Sequence, residues 1–208
     1  MVVDYRTHGA LEKYLKDIIA HHKDDPRIFI WDLYNEPTNC MGHNRRKYAI
    51  ALMRKCFRWA REVGPSQPLT VASYRGHDPA FDEIVWAESD IVTFHCYSAF
   101  PDFVRTVEWL RTQTDRPLVC NEWLNRIEGN TVETVLPFLH AMGIGSFHWG
   151  LIQGFSQTWE PHGAYFEAAK RGERKDLRLW QHDLYRFNGH PYDPREIDVI
   201  RAFAPPTT

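Results

Sequence analysis

The segment IFIWDLYNEP, residues 28–37, decides how the rest of this sequence is interpreted. Six of its first seven residues are apolar or aromatic, and the run is too short for a buried helix, so it predicts a strand covered on both faces. Turn-forming residues flank the strand, Asp24-Asp25-Pro26 before it and Asn35-Glu36-Pro37 after it. Strands covered on both faces are typical of parallel sheets, whose connecting helices lie on either side.

Four further apolar segments follow, and segments with the periodicity of amphipathic helices alternate with the strands. The further strands are predicted at residues 69–73, 91–97, 118–123 and 145–150. The helices are predicted at residues 11–22, 44–63, 80–87, 101–112 and 131–142, with a last helix at residues 194–203. The strands begin about 29 residues apart on average, which is the length of one strand–helix unit in a parallel α/β fold.

Composition limits the class of protein. The 208 residues, 43% of them hydrophobic, predict one domain, residues 1–208, with a sizeable core. The formal net charge of -2 argues against a protein that binds nucleic acid or an anionic membrane through bulk electrostatics. No apolar run is long enough to cross a membrane and no secretion signal is visible. The sequence leaves the compartment and the oligomeric state open.

Polar side chains stand where the strands end, which is where parallel α/β folds place their functional groups. Glu36 follows the first strand and Glu122 ends the fourth, and each comes directly after an asparagine. Two carboxylates at one rim suit retaining hydrolysis of a glycosidic bond, in which one attacks the anomeric carbon and the other protonates the departing oxygen. We therefore expect these two carboxylates to face a shared pocket, about 5 to 5.5 Å apart.

Aromatic and amide side chains near the strand ends suit a hydroxyl-rich ligand. Flat rings on which sugars stack are offered by Tyr97, Trp123, Trp149 and Trp159, and hydroxyl partners by Asn35, Gln153 and Gln157. The predicted partner is therefore a carbohydrate substrate. Residues 151–181 are predicted to form a long functional loop without regular structure.

Four motifs carry a family resemblance: WDLYNEP (31–37), FHCYS (94–98), LVCNEW (118–123) and FHWG (147–150). In that order and spacing they resemble strands four, six, seven and eight of the large clan of retaining glycoside hydrolases on (β/α)8 TIM barrels, which includes cellulases, β-mannanases, β-galactosidases and β-glucuronidases. The resemblance covers nearly the whole chain. It implies that Glu36 is the general acid/base and Glu122 the nucleophile. It also implies that Asn35 contacts the substrate 2-hydroxyl, Tyr97 hydrogen-bonds the nucleophile, His95 lines the cleft and Trp149 floors the subsite of the cleaved sugar.

The resemblance also implies that the chain is a truncated barrel, strands four to eight, or the C-terminal five-eighths of the catalytic domain. Strands one to three and the first two helices, about 90 residues, have no counterpart. Three explanations stand: a truncated or mis-started gene model, a fragment of a longer enzyme, or a half that is completed by a partner. The first is preferred, because Met1 falls where the middle of a domain is expected.

Two rival functions remain beside the hydrolase. One is a catalytically inactive carbohydrate-binding remnant that needs the missing N-terminal strands. The other is a metal-dependent barrel hydrolase, suggested by the 11 histidines. The chain has no HExxH motif and no HxH at a strand end, so neither a metal nor another cofactor is predicted. Cys96 and Cys120 are expected to be small buried residues rather than a redox pair.

The two glutamates are expected to ionise differently. Retaining hydrolysis needs one carboxyl that is protonated and one that is ionised at the working pH. Glu36 is therefore expected to titrate above its usual range and Glu122 near or below it, which predicts a bell-shaped pH profile of kcat/KM.

Overall fold

The structure, a computed structural model, describes residues 2–39, 42–74 and 79–204. The chain divides into two compact units. The first comprises Met1–His95 with Gln113–Val119, and the second comprises Cys96–Thr112 with Cys120–Thr208. No helix among the described residues combines the length and the apolar character needed to span a membrane.

In the first unit, helices alternate with short strands. The elements are α1 (His8–His22), β1 (Trp31–Asp32), α2 (His43–Val63), β2 (Leu69–Thr70), β3 (Ser73–Tyr74), α3 (Pro79–Glu88) and β4 (Val92–His95). β1 pairs in parallel with β2, so that Trp31 lies opposite Leu69. β3 pairs in parallel with β4, so that Ser73 lies opposite Phe94. The predicted alternation of helices and parallel strands is confirmed here.

The long helix α2 forms because its apolar residues recur on one face. Ala49, Met53, Phe57 and Ala60 are each at most 1% exposed. Gly64 ends the helix in the left-handed conformation, with φ 68°, and its N–H donates to the Ala60 carbonyl. β4 is buried at every residue, as expected of a strand covered on both faces.

The second unit contains most of the remaining elements. These are α4 (Phe100–Gln113), β5 (Leu118–Glu122), α5 (Val132–Ala141), β6 (Gly145–Ser146), α6 (Gly163–Lys170) and α7 (Pro194–Phe203). The last residue of α4 and the first two of β5 belong to the first unit. The carboxyl end of β5 is bonded on both sides: Cys96 N–H donates to the Glu122 carbonyl at 3.0 Å, and Phe147 N–H donates to the Cys120 carbonyl at 2.9 Å.

Two expectations about local structure are wrong. The strand predicted over residues 28–34 is confined to Trp31–Asp32, because a parallel strand ends where its partner stops bonding. It is also not covered on both faces as expected: none of these seven residues is buried, and Phe29 is 58% exposed. The segment 151–181, predicted to lack regular structure, contains α6, which buries Ala168. The α/β class is confirmed, and within neither unit do the described strands close into a ring.

Candidate active site

Glu36 follows β1 in an unusual backbone conformation. Its φ of 45° lies in the left-handed region, which few residues other than glycine adopt. A conformation of this kind costs about 1–3 kcal/mol and persists only where neighbouring contacts impose it. The Glu36 N–H donates to the Ala72 carbonyl at 3.2 Å, which ties the turn to the segment between β2 and β3. The backbone at Glu36 is thereby held in this conformation.

Two side-chain donors hold the Glu36 carboxylate, which is 14% exposed. His95 Nδ1 donates to Oε1 at 2.5 Å, and Asn39 Nδ2 donates to Oε2. Burial raises the pKa of Glu36, but these hydrogen bonds and the charge that His95 can carry lower it by more, so the pKa lies below its usual range. The expectation that Glu36 titrates above its usual range is therefore wrong for this structure.

His95 contacts this carboxylate, and Asn35 precedes Glu36 in the chain. His95 closes β4, and its side chain is fully buried and directed at Glu36 rather than at open solvent. Asn35 is exposed, as a side chain that contacts substrate has to be. Its contact with the substrate 2-hydroxyl stays a prediction.

Glu122 lies at the end of β5, in the second unit. The Tyr97 hydroxyl donates to Glu122 Oε2 at 2.7 Å. A hydrogen bond to a carboxylate favours its ionised form and fixes its rotamer. Asn125 Nδ2 donates to the Tyr97 carbonyl at 3.4 Å, and the ring of His182 lies against the Tyr97 ring, with 5.3 Å between centroids. Tyr97 is thus held at its backbone and along its ring.

A buried ion pair organises the loops around Glu122, and sequence reasoning missed it. Arg126 binds Glu196 of α7 through two hydrogen bonds of 2.6 Å, and both side chains are 4% exposed. The same guanidinium donates to the carbonyls of Trp180, His182 and Asp183. Arg126 therefore joins the loop after β5, the segment before α7 and α7 itself.

Asn130 is a second organising residue that the sequence did not reveal. Its Oδ1 accepts the N–H of Leu124, whose φ is 83°. Its Nδ2 donates to the carbonyls of Cys96 and Ser98, at 3.0 Å each. One buried amide thus fixes the turn after β5 to the segment that carries Tyr97.

The aromatic residues expected to bind sugar differ in exposure. Trp149 is 43% exposed and offers an open ring. Its backbone N–H donates to the backbone carbonyl of Trp123 at 2.9 Å. Trp123 is 2% exposed, so its ring is enclosed and lacks the open face that stacking requires. We correct the expectation for Trp123 on that ground. Trp159 is half-buried against Trp180, with 5.5 Å between ring centroids.

Gln153 and Gln157 lie in the loop beyond β6. Gln153 Oε1 accepts the N–H of Phe187 at 3.5 Å, and its own N–H donates to the Tyr185 carbonyl at 2.8 Å, so this residue joins two loop segments. Gln157 is exposed and has a φ of 55°. Their contacts with substrate hydroxyls stay predictions.

Gly150 occupies a position that tolerates only glycine. Its φ is 84°, and a Cβ built there would lie 2.5 Å from the backbone nitrogen of Asp183 and 2.8 Å from the Cβ of His182. Asp183 is itself tied to the loop, because Thr158 Oγ1 lies 3.0 Å from both of its carboxylate oxygens. Burial raises the pKa of Asp183 despite the hydrogen bond from Thr158 and the nearby charge of Arg126.

The cysteines follow the expectation where the structure describes them. Cys56, Cys96 and Cys120 are buried and form no disulfide. Burial raises the pKa of the Cys120 thiol well above its usual value, which keeps it protonated and unreactive. The interpretation of Cys96 and Cys120 as small buried residues is confirmed, and Cys40 lies outside the described residues.

Comparisons with known proteins give matches of fold only. No protein-family model matches this sequence, and no curated protein matches it. Among solved structures, a β-glucuronidase of Bacteroides uniformis is similar with a TM-score of 0.69 at 15% identity, over 99% of this chain and 27% of that one. A GH2 β-galacturonidase of Eisenbergiella tayi bound to galacturonate has a TM-score of 0.64 at 15% identity, over 97% of this chain and 38% of that one.

A third similar structure is native xylanase 10B of Thermotoga maritima, with a TM-score of 0.58 at 18% identity over 93% of this chain and 65% of that one. The chain therefore spans less than two thirds of the length of each of these structures. This chain shares an α/β fold with these three structures, and the likeness is one of fold alone.

Proposed function

We propose that this chain carries the two catalytic glutamates of a retaining O-glycoside hydrolase that acts on a β-linked oligo- or polysaccharide. Glu122 is the nucleophile and Glu36 the general acid/base. The observation that carries the proposal is the hydrogen bond of 2.7 Å from Tyr97 to Glu122, the contact that the motif resemblance implies for a nucleophile. The fold shared with three glycosidases supports it.

In the proposed mechanism Glu122 attacks the anomeric carbon. A carboxylate nucleophile must be ionised and correctly aimed, and the phenol O–H of Tyr97 serves both needs because its hydrogen bond favours the ionised form and fixes the rotamer. As the glycosyl–enzyme bond forms, negative charge leaves Glu122. Water then attacks the same carbon and frees the carboxylate, so that the configuration is retained overall.

Glu36 protonates the departing oxygen and later takes a proton from the attacking water. Its pKa lies below the usual range, so Glu36 is mainly ionised before substrate binds. A bound sugar displaces water from the carboxylate, and this desolvation raises the pKa. We propose that substrate binding in this way converts Glu36 into the acid that the first step needs.

Trp149, with its open ring, is the proposed floor of the subsite for the cleaved sugar. Asn35, Gln153, Gln157 and Trp159 are proposed further contacts, and Trp123 is left out because it is enclosed. We propose no metal and no cofactor for the reaction, since two carboxylates suffice for it.

A second candidate is a fragment that needs a complement before it can act, and a cavity in the first unit favours it. The cavity, about 380 Å³, is lined mainly by apolar side chains of α1, β1 and α2, including Leu15, Trp31 and Leu52. Tyr14 at its edge is 66% exposed. This proposal, like the truncated barrel of strands four to eight, predicts that further strand–helix units cover the apolar surface.

The test is an assay of the purified full chain on a panel of aryl β-glycosides that includes neutral sugars and uronides. Hydrolysis that is lost in Glu122→Gln, is reduced in Glu36→Gln most strongly for poor leaving groups, and is kept in Glu133→Gln on the exposed face of α5 supports the enzyme. Hydrolysis that both variants retain would contradict the residue assignment. A folded and inert chain that binds oligosaccharide, with binding lost in Trp149→Ala, favours the second candidate.

A further inference from the structure

His182 is a buried histidine that neither the sequence analysis nor the proposed mechanism uses. It is 3% exposed and lies in the segment between α6 and α7. Its ring lies against Tyr97 with 5.3 Å between centroids and 60° between planes, and Tyr97 in turn donates to Glu122. A row of three side chains therefore runs from His182 to the carboxylate.

The orientation of His182 is fixed on two sides. Nδ1 lies 2.5 Å from the Leu124 carbonyl, which can only accept, so Nδ1 carries the proton and donates. Its backbone carbonyl accepts a hydrogen bond from Arg126, and its Cβ approaches Gly150 at a point where no larger residue fits. The imidazole consequently has no freedom to turn away from Tyr97.

Burial, aided by nearby positive charges, keeps the His182 ring neutral. Burial lowers the pKa of His182 to about 4, although the hydrogen bond to Leu124 opposes this, and the charges of His162 and Arg126 lower it further. The ring centroid of His162 lies 6.0 Å away. The uncharged ring packs against the Tyr97 phenol.

We propose that His182 is a positioning residue that acts through Tyr97, holding the phenol so that its hydroxyl stays on Glu122. His182 does not contact the reacting atoms in this role. Removal of its ring frees the Tyr97 side chain to rotate, and the hydrogen bond that favours ionised Glu122 is then made only part of the time. The meaning of this for catalysis rests on the proposed function, whereas its effect on the ionisation of Glu122 does not.

The primary test therefore measures the pKa of Glu122 in the full chain by carbon NMR of ¹³C-labelled glutamate side chains, with Glu122→Gln used to assign the resonance. His182→Asn keeps a donor for the Leu124 carbonyl and removes the ring from Tyr97. We expect it to raise the pKa of Glu122 by about half a unit, and Tyr97→Phe, which removes the hydrogen bond outright, by about one unit. His190→Ala, an exposed histidine of the same unit, should leave it unchanged.

The decisive step combines the two changes. In the Tyr97→Phe background, His182→Asn should cause no further shift, because the hydroxyl through which it acts is gone. A shift of equal size in both backgrounds, or no shift in either, would overturn the proposal. If His182→Asn loses the parental circular dichroism spectrum, the same cycle is run with His182→Phe, which keeps a ring but loses its tether and should shift the pKa by less than Tyr97→Phe does.

A kinetic arm separates this inference from the proposed function. If the chain hydrolyses aryl glycosides, the acidic limb of kcat/KM should move to higher pH in His182→Asn by the same amount as the pKa of Glu122. If the NMR shifts appear and no hydrolysis is found, the positioning role stands and the hydrolase proposal fails. If hydrolysis is found and the shifts do not appear, the reverse holds.

Discussion

The surroundings of Glu36 and of Glu122 hold their carboxylates by different means. Glu36 stands on a strained turn with a φ of 45° and receives hydrogen bonds from His95 and Asn39, one to each oxygen. Glu122 ends a regular strand and receives a hydrogen bond from the neutral phenol of Tyr97. Two glutamates at strand ends in the same Asn-Glu motif therefore differ in backbone conformation and in the kind of side chain that donates to them.

This difference teaches that the strand-end position alone does not set the behaviour of a carboxylate. Hydrogen bonds to both oxygens of Glu36 outweigh its burial, so that its pKa falls where retaining hydrolysis predicts a rise. A role as an acid then depends on what fills the site. The following predictions test whether the two environments produce two different functions.

The largest expected effect separates the roles by leaving group. Glu122→Gln should lower kcat/KM on the order of 10⁴-fold or more for every aryl β-glycoside, because it removes the nucleophile. Glu36→Gln should lower it by about tenfold or less for strongly acidic phenols and by about 10²–10⁴-fold for poor leaving groups, which need protonation. Steady-state kinetics on aryl glycosides with a series of phenol leaving groups measures, for each variant, how kcat/KM depends on the acidity of the phenol. Equal losses across the series for the two variants would show that their roles do not differ.

The next effect concerns the support of the Glu122 environment. Glu196→Gln leaves the buried Arg126 charge without its partner, which should lower the free energy of unfolding by about 3–5 kcal/mol. Asp198→Asn, on the same helix with a side chain 74% exposed, should change it by about 1 kcal/mol or less. Urea unfolding at neutral pH measures both values. Similar values for the two variants would mean that the buried pair does not stabilise this unit.

A smaller loss is expected at Gly150, where the loop after β6 meets Asp183. Gly150→Ala adds a Cβ at 2.5 Å from backbone and also strains a positive φ, so it should cost about 2–4 kcal/mol. Gly172→Ala shares the positive φ, 88°, but its Cβ meets nothing within 4 Å, so it should cost only about 1 kcal/mol. The difference in urea midpoint between Gly150→Ala and Gly172→Ala measures the part of the loss that comes from the short distance between the new Cβ and Asp183. No difference would place the loops further apart than the structure has them.

Much of the fold follows from the sequence because the relevant signals are local. The apolar stripe of α2 recurs every three or four residues, and Gly64 marks its end. Helix α6 escaped prediction because it has only eight residues, lacks a side-chain cap and lies beside a run of charges. The ends of the strands were not predictable for a different reason: hydrogen-bond partners, rather than residue types, decide where a parallel ladder stops.

The candidate site consists of residues that the sequence selects, whereas most of their contacts were not predictable from it. The motifs selected Glu36, Glu122 and Tyr97, while the resemblance placed His95 only in the lining of the cleft. Arg126 and His182 escaped notice because their partners lie more than 50 residues away in the chain, as in the bonds from Arg126 to Glu196 and from His182 to Leu124. Contacts between residues that are so far apart in the chain leave no periodic pattern in a sequence.

The smallest expected effect tests the cause of the lowered pKa of Glu36. Asn39→Ala removes one donor, so the pKa of Glu36 should rise toward its usual value and the basic limb of kcat/KM for poor leaving groups should move to higher pH by less than about one unit.

A carboxylate with a depressed pKa stabilises the fold above its unfolded-state pKa, and this contribution disappears as the pH falls through the folded-state value. The variant should therefore be less stable than the parent by about 0.5–1.5 kcal/mol at neutral pH, with the difference vanishing in acid. Asn44→Ala, at an exposed position of α2, provides the control. A difference between Asn39→Ala and the parent that persists unchanged at pH values below the Glu36 titration would mean that Asn39 stabilises the turn itself rather than the ionised carboxylate.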